Sequence, residues 1–307
     1  MHSLRPLAFT LVLMTGAAPA ASQSRGYLPR LLELPASTRA MALGDSYTFA
    51  TGHADAVFYQ PALIHGASGF GLDIQLWSGE ATSAAFSAAM ERKGGTVAMG
   101  LATLQYRTVS ERGSDVPGGG DHLFSEGPVA ASERVASIGF TTETSGFRFG
   151  FVGKVVEERL GTMRNSALGV DLGMATDVGP LGVSLAVQNV GHGIFLGRDS
   201  VSMPRRLTLG AGGYGMEFGP LDLGASAALS YRVDGEIIPS GGIEVGYWPV
   251  QGRTFIVRMG MRRIVEGVAS PFTLGFAFEH DELTLEWTLQ DFEELGERTH
   301  RLGIRWK

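Results

Sequence analysis

The sequence predicts an all-β protein: a transmembrane antiparallel β-barrel of about fourteen strands with an N-terminal hatch segment inside the barrel. Three observations lead there. From about residue 67 to the end, apolar and polar residues alternate in segments of about ten, separated by turn residues. Beyond the N-terminal residues, no stretch reaches even half the length of a spanning helix without a polar or glycine interruption. Charged residues make up only 18% of the chain and glycine accounts for 44 of 307 positions, about twice its usual share of roughly 7%, which is unusual for a soluble α/β enzyme.

The N-terminus, "MHSLRPLAFTLVLMTGAAPAASQS", carries Arg5, an apolar run from Pro6 to about Met14, and Ala18-Pro19-Ala20 as a small-residue cleavage pattern. It reads as a secretory signal peptide over 1–20. The run is well short of the roughly 20 residues needed for a spanning helix. Residues 21–66 follow with Pro29, Pro35 and Pro61, a possible short helix around "ADAVFYQPALI", and no clean alternation. Irregular backbone cannot face lipid, so this stretch is expected inside or beneath the barrel as a hatch, with the barrel itself spanning 67–307.

Strands are expected near 67–78, 81–91, 95–109, 132–142, 147–159, 166–177, 180–190, 205–216, 219–232, 237–248, 253–264, 270–280, 282–291 and 298–306. The segment "FRFGFVGKVVEE" sets Phe147, Phe149, Phe151 and Val155 against Arg148, Gly150, Lys154 and Glu158. Likewise "ELTLEWTLQ" sets Leu283, Leu285, Trp287 and Leu289 against Glu282, Thr284, Glu286 and Gln290. Successive side chains of a strand point to opposite sides, so each segment has one apolar and one polar face. Short turns such as "TETSG" and "PVQG" contrast with longer polar loops at 110–131 and 191–204, the rim asymmetry of a bacterial outer-membrane barrel. Aromatic residues near strand ends, Trp77, Tyr106, Tyr231, Tyr247, Trp248 and Trp306, fit interfacial girdles better than a soluble sandwich does.

The net charge of −6 offers no basic footprint, so nucleic acid is not expected as a partner. Without cysteine there is no disulfide, thiol catalysis or zinc-thiolate site. The stretch "MALGDSYTFATG" (41–52) resembles the nucleophile block of the GDSL (SGNH) hydrolases, with Ser46 in the nucleophile's place. That chemistry needs a histidine to take the serine proton and a carboxylate to orient it. The family's Asp-x-x-His is absent, the nearest mimic being Glu297 before His300, and its Gly-x-Asn-Asp block is missing too. An esterase is therefore a distant alternative, and Ser46 reads as a turn or cap residue beside Asp45. No catalytic residue, cofactor or metal is expected; Asp121-His122 sits in a glycine-rich loop with no further ligand at metal spacing.

At full length, "LPASTRAMALGDSYTFATGHADAVFYQPALI" (34–64) resembles the N-terminal signature of the PorV/PorQ family of outer-membrane proteins, which look like relatives of the FadL hydrophobic-solute channels. The matching residues are Arg39-Ala40, Leu43-Gly44, Tyr47-Thr48, Asp55-Ala56 and Phe58-Tyr59-Gln60-Pro61-Ala62. Gln60 stands where the family has asparagine, and Asp45-Ser46 replaces a glycine-small pair. "LAVQNVGHGIFL" (185–196) with "MPRRLTLGAGGYG", and the closing "LGERTHRLGIRW", resemble two further family stretches. The resemblance implies either protein secretion and cargo handling at the cell surface, as in type IX secretion, or uptake of hydrophobic small molecules. Arg39, Gly44, Asp45, Tyr47, Asp55, Phe58, Tyr59 and Pro61 would form the hatch motif. Implied partners are outer-membrane lipid, secretion-system components or a hydrophobic solute, and the barrel-assembly machinery through the C-terminal strand.

Alternation also places Arg148, Lys154, Asp171, Asp222, Glu244, Arg258, Arg262, Glu279, Glu286, Arg301 and Arg305 on polar, lumen-facing sides. Charges in a low-dielectric interior should be paired. Small inward residues (Gly169, Gly173, Ser184, Gly210, Gly224, Ser226) would leave space for the hatch, which is expected to fill the lumen and close it to ions.

Overall fold

A computed structural model describes residues 29–47, 52–77, 81–106, 131–196, 199–264, 269–292 and 297–307. The signal-peptide stretch, the start of the expected hatch and nearly all of loop 110–131 lie outside the described residues.

Fourteen antiparallel strands close one barrel. In chain order they begin with β1 (Gly69–Trp77), β2 (Ala81–Arg92), β3 (Gly95–Tyr106), β4 (Ala131–Thr144), β5 (Phe147–Leu160), β6 (Met163–Val178) and β7 (Leu181–Gly191). A separate hairpin follows, β8 (Ile194–Leu196) with β9 (Asp199–Val201). The barrel resumes with β10 (Arg206–Phe218), β11 (Leu221–Arg232), β12 (Ile237–Val250), β13 (Arg253–Arg262), β14 (Ala269–His280), β15 (Leu283–Phe292) and β16 (Glu297–Trp306). β1 pairs with β16 from Phe70↔Trp306 to Leu76↔His300, so the sheet has no free edge. Among the described residues no helix is long and apolar enough to cross a membrane.

The alternation read from sequence is realised in burial. Phe149, Phe151, Met259, Leu302 and Ile304 are exposed on the outer wall, while Arg148, Lys154, Arg258, Arg301 and Arg305 are buried inside. An apolar outer face with a polar, filled interior inverts the soluble pattern and suits a barrel bathed in lipid. Strands of nine to sixteen residues are long enough to cross a bilayer when tilted. Short turns gather at the rim that holds the start of β1 and the end of β16, and the longer connections lie at the other. Tyr106 follows the inward register of Ala102 and Leu104 and donates its hydroxyl hydrogen to Glu133 at 3.2 Å, and Trp248 lies where the β12–β13 register shifts; Tyr231, Tyr247 and Trp306 face outward near strand ends. Trp77 does not belong with them: it shares the inward register of Asp73 and Gln75 and packs on the interior cluster around Leu31. The loop 191–204 is also more than a polar excursion, since Ile194 and Met203 are fully buried in that same cluster.

Residues 29–47 and 52–68 do not add to the wall; they fill it. Helix α1 (Thr38–Ala42) is capped by Ser37, whose side chain accepts from the Ala40 amide, and it lies against β13 to β16. The expected helix over "ADAVFYQPALI" is instead two 3₁₀ turns, Ala54–Phe58 against β1 to β4 and Pro61–Ile64 against β4 to β6. Pro61 cannot donate an amide into a continuing helix, so a new turn starts there. Gln60 caps it, with Oε1 accepting from the Ala62 amide at 3.3 Å.

What admits this backbone is the absence of side chains opposite it. A Cβ on Gly260 would sit 2.0 Å from the Gly44 nitrogen, and one on Gly242 2.7 Å from Leu43 Cα. On the far wall, a Cβ on Gly150 would come within 2.1 Å of the Pro61 carbonyl carbon, and one on Gly173 within 2.0 Å of Gln60 Oε1. These contacts are far inside van der Waals range, so the two layers are built to fit one another. Gly260→Ala is therefore expected to unseat the inner segment while leaving the barrel closed. Limited proteolysis in detergent should cut within 29–66 much faster than in the unmodified protein, with heat-modifiable gel migration retained; equal protection would contradict this packing.

Candidate functional site

The chemistry of the interior begins with Arg305 on β16. Its Nε donates to Glu286 Oε2 at 2.7 Å, Nη1 lies 3.0 Å from Asp55 Oδ2, and Nη2 reaches Asp73 Oδ1 and Ser37 Oγ at 3.3 and 2.9 Å. Glu286 Oε1 accepts from Arg258 Nη1 at 2.6 Å, Arg258 Nε donates to Glu244 Oε2, and Glu244 Oε1 accepts from Arg39 Nη2 at 3.2 Å. A chain of alternating charge thus runs Asp55, Arg305, Glu286, Arg258, Glu244, Arg39, starting and ending on the inner segment and crossing the wall between. Three of the arginines' partners come from different strands, because side chains at the same height on β1, β12, β13, β15 and β16 converge inside a closed barrel.

Arg301 adds a second grip, donating to the Pro35 and Ala36 carbonyls at 2.7 and 2.5 Å and to Gln75 Oε1 at 2.9 Å. Asp73 Oδ1 accepts from both the Thr38 amide and its hydroxyl at 2.6 Å. Thr288 and Thr273 hydroxyls hold the Thr38 and Ala42 carbonyls at 2.9 and 3.3 Å, and the Thr141 hydroxyl holds that of Pro61. The short inner helices leave carbonyls unbonded, and the wall supplies their donors.

Within the inner segment, Tyr47 stacks on Tyr59 with centroids 4.8 Å apart. Tyr47 donates its hydroxyl hydrogen to Asp55 Oδ1 at 2.7 Å, and the Tyr59 oxygen accepts from the Ala36 and Ser37 amides at 2.6 and 2.8 Å. Burial by itself would raise the Asp55 carboxyl; the Arg305 guanidinium and hydrogen bonds from Ser37 and Tyr47 outweigh it and hold the group below the usual carboxylate range. Arg39 lies 4.8 Å over the Tyr214 ring and donates to His53 Nε2 at 2.7 Å. Burial first, then the neighbouring positive charge of Arg39, keeps His53 neutral well below the ordinary imidazole value.

The hatch-motif residues occupy defined places. Arg39, Tyr47, Asp55 and Tyr59 carry the network; Gly44 takes a positive φ of 63° against the backbone of Met261; Phe58 covers Gly100, and Pro61 starts a 3₁₀ turn. Asp45, also at positive φ, reaches Arg262 at 3.2 Å and Arg206 at 4.0 Å. Ser46 is fully buried, its hydroxyl donating to the Leu43 carbonyl at 2.6 Å with Ser226 Oγ at 2.7 Å. It ties backbone rather than standing open to a substrate.

All eleven lumen-side charges named from the sequence stand on the inward side of the wall, but not in one place. Glu244, Arg258, Glu286, Arg301 and Arg305 form the network above. Lys154 and Asp171 make a separate buried pair at 2.6 Å, with Asn189 accepting from Lys154 Nζ at 2.9 Å and giving its amide to Asp171 at 2.7 Å. Asn189 sits at φ +58° where the β6–β7 register shifts, and its neighbour Gln188 donates to the Phe58 carbonyl at 3.3 Å. Arg148 pairs with Asp177 at 2.6 Å near the short-turn rim, where Asp222 and Glu279 also lie, half-buried. Asp73, His53, Glu133 and Arg206 were missed. Asp73 and Gln75 alternate with Leu72, Ile74 and Leu76 in "GLDIQLW", so the same period-two count would have found them. Glu133 accepts from the Leu31 amide at 2.6 Å and could have been read the same way.

No family model matches the chain, and no curated protein matches it either. Several solved structures do. The chain is similar to the Pseudomonas putida toluene transporter TodX, with a TM-score of 0.55 at 14% identity over 87% of this chain and 95% of that one. It is similar to the Ralstonia pickettii toluene transporter TbuX, with 0.57 at 12% identity over 87% and 97%, and to the CymD monoaromatic hydrocarbon channel, with 0.54 at 10% over 90% and 96%. At such identities the likeness is one of fold, a closed fourteen-stranded barrel.

Two outcomes follow from the network. Arg305→Ala strands Asp55, Asp73 and Glu286 as buried carboxylates without their shared counter-ion, and is expected to cost about 3–5 kcal/mol; chemical unfolding in detergent measures it, and a loss under about 1 kcal/mol would show the network to be dispensable. His53 stabilises the fold as the neutral acceptor for Arg39. With its folded value depressed, that contribution is full above an unfolded pKa of about 6.5 and is lost as pH falls below it. Thermal melts should show a downward step below that pH which His53→Gln removes, since an amide oxygen accepts from Arg39 at any pH.

Proposed function

We propose that the protein is an outer-membrane channel for small hydrophobic molecules, with 29–66 as the hatch that keeps it closed to ions. The observation that carries this reading is the seating of the inner segment in a closed barrel whose fold matches hydrocarbon channels along nearly their whole length. A plug held by side chains from both walls can exclude ions, while small neutral solutes need only local rearrangement to pass. The outer membrane as its location, with lipid around the barrel and assembly through the C-terminal strand, goes with the same reading.

The secretion reading drawn from the PorV/PorQ resemblance draws less support. The motif residues that carry it, Arg39, Tyr47, Asp55 and Tyr59, point into the lumen and hold the inner segment together. They are architectural here, and architecture is shared by docking barrels and channels alike. The long loop 110–131, where cargo docking would be sought, lies almost wholly outside the described residues.

The test uses the absence of cysteine. A Cβ on Gly303 would stand 3.0 Å from Thr38 Cβ, near the roughly 3.5–4.5 Å of a disulfide. Thr38→Cys with Gly303→Cys should pin α1 to β16 on oxidation. Toluene uptake into proteoliposomes is expected to fall when the bridge forms and to return on reduction. Uptake that persists in the fully bridged protein would rule out 29–66 as the gate.

A further inference from the structure

At the long-loop rim, between the inner segment and β10 to β13, lies a cavity of about 200 Å³. Five arginines line it: Arg30, Arg206, Arg232, Arg262 and Arg263, against only two acids, Asp45 and Glu33. The chain as a whole is negative, so this concentration of guanidinium runs against its composition. The remaining lining is largely apolar, with Leu32, Leu34, Ile238 and Ile264.

The arginines are not equally committed. Arg232 is fixed by Asp234 and by Glu33 at 3.1 Å, and Arg263 by Glu236 at 3.2 Å and the Ile237 carbonyl at 2.8 Å. Arg206 Nε donates to Gln188 Oε1 at 2.8 Å, while its Nη1 and the Nη1 of Arg262 share a single oxygen, Asp45 Oδ2, at 4.0 and 3.2 Å. That is a loose arrangement beside the 2.6–2.7 Å contacts of Arg258 and Arg305 deeper in the lumen. Neither guanidinium makes the paired, two-bond contact with Asp45 that a planar fork allows a carboxylate. Asp45 also cannot shift freely to improve it, since it belongs to the tight Gly44–Asp45 turn, where both residues have positive φ.

We propose that this vestibule is an oxyanion site, in which Arg206 and Arg262 bind the carboxylate of a small solute with an apolar body and Asp45 is the resident competitor. The inference rests on the channel reading and sharpens it: it names carboxylate-bearing solutes, where the proteins of similar fold are described by neutral hydrocarbons. A free carboxylate can align with both guanidiniums, which the tethered Asp45 does not, and its apolar body meets the leucine and isoleucine side. A cavity of this volume has room for a molecule of benzoate's size.

Isothermal titration of the full chain in detergent micelles tests this with three probes: benzoate, benzyl alcohol and inorganic phosphate. Benzoate is expected to bind about tenfold more tightly than either of the others, since only it has both charge and apolar body. Arg262→Gln should weaken benzoate binding by roughly tenfold. Asp45→Asn should tighten it severalfold, a change in the opposite direction that a damaged fold would not produce and that decides the matter even if the arginine variant fails to fold. Equal affinity for benzoate and benzyl alcohol, phosphate binding as tight as benzoate, or Asp45→Asn without gain would each overturn the assignment. Toluene uptake without benzoate binding would sink the site and leave the channel; benzoate binding without uptake of any solute would do the reverse.

Discussion

The close approach of two backbones fixes the rest of this structure. Where residues 38–44 and 58–62 cross the lumen, the wall offers Gly242, Gly260 and Gly275 on one side and Gly100, Gly150 and Gly173 on the other, and a single Cβ at any of them would collide with the inner segment. Interiors pack to the density of organic crystals, and a methyl group's worth of misfit is felt. A segment that near a wall has little latitude in height or register. The polar contacts then follow from position: Thr288, Thr273 and Thr141 meet the carbonyls that the short helices leave open, and Arg305, Glu244 and Arg301 stand where Asp55, Arg39 and the Pro35–Ala36 carbonyls arrive.

Charge is what makes the fit specific. Burying one guanidinium costs several kcal/mol, and only a near-complete set of partners offsets that. The alternation from Asp55 to Arg39 meets the condition by sharing each carboxylate between two arginines or between an arginine and the inner segment. Hydrophobic packing alone would let the segment slide, since a lumen lined by small residues has few keys. The ion chain couples α1, the Ala54–Phe58 turn and five strands into one unit, while the vestibule around Asp45 is held by longer contacts. Stability is thus graded along the lumen, firm near the short-turn rim and looser toward the long loops.

The wall was legible in the sequence because lipid on one side and a polar lumen on the other enforce a strict period of two. Phe149 against Arg148, or Leu302 against Arg301, can be read without coordinates, and each strand was placed within a few residues of its observed bounds. The lumen charges followed from the same count. What could not be read was who meets whom. That Asp55 faces Arg305 across 250 residues of chain depends on barrel closure and on stagger between strands, neither of which leaves a local mark. Trp77 misled because an aromatic at a strand end looks the same whether it faces lipid or lumen; only its parity with Asp73 and Gln75 tells. The 191–204 loop misled because two buried residues, Ile194 and Met203, are too few to stand out among glycines and polar neighbours. The Gly-Asp-Ser run was ambiguous for a related reason: a tight turn with two positive φ values asks for the same small and polar residues as a nucleophile block.

The central claim is that residues 29–47 and 52–66 rest as part of the barrel's packed interior, held as firmly as the wall in the closed state. Hydrogen–deuterium exchange of the intact protein in lipid nanodiscs tests it most directly. Amides of Thr38, Leu43, Asp45, Ala56, Gln60 and Leu63, bonded to wall carboxylate or local carbonyls, are expected to exchange as slowly as those of the neighbouring strands β13 to β16 and β3 to β6. Exchange of these amides on the timescale of an open loop, with the strands still protected, would contradict it.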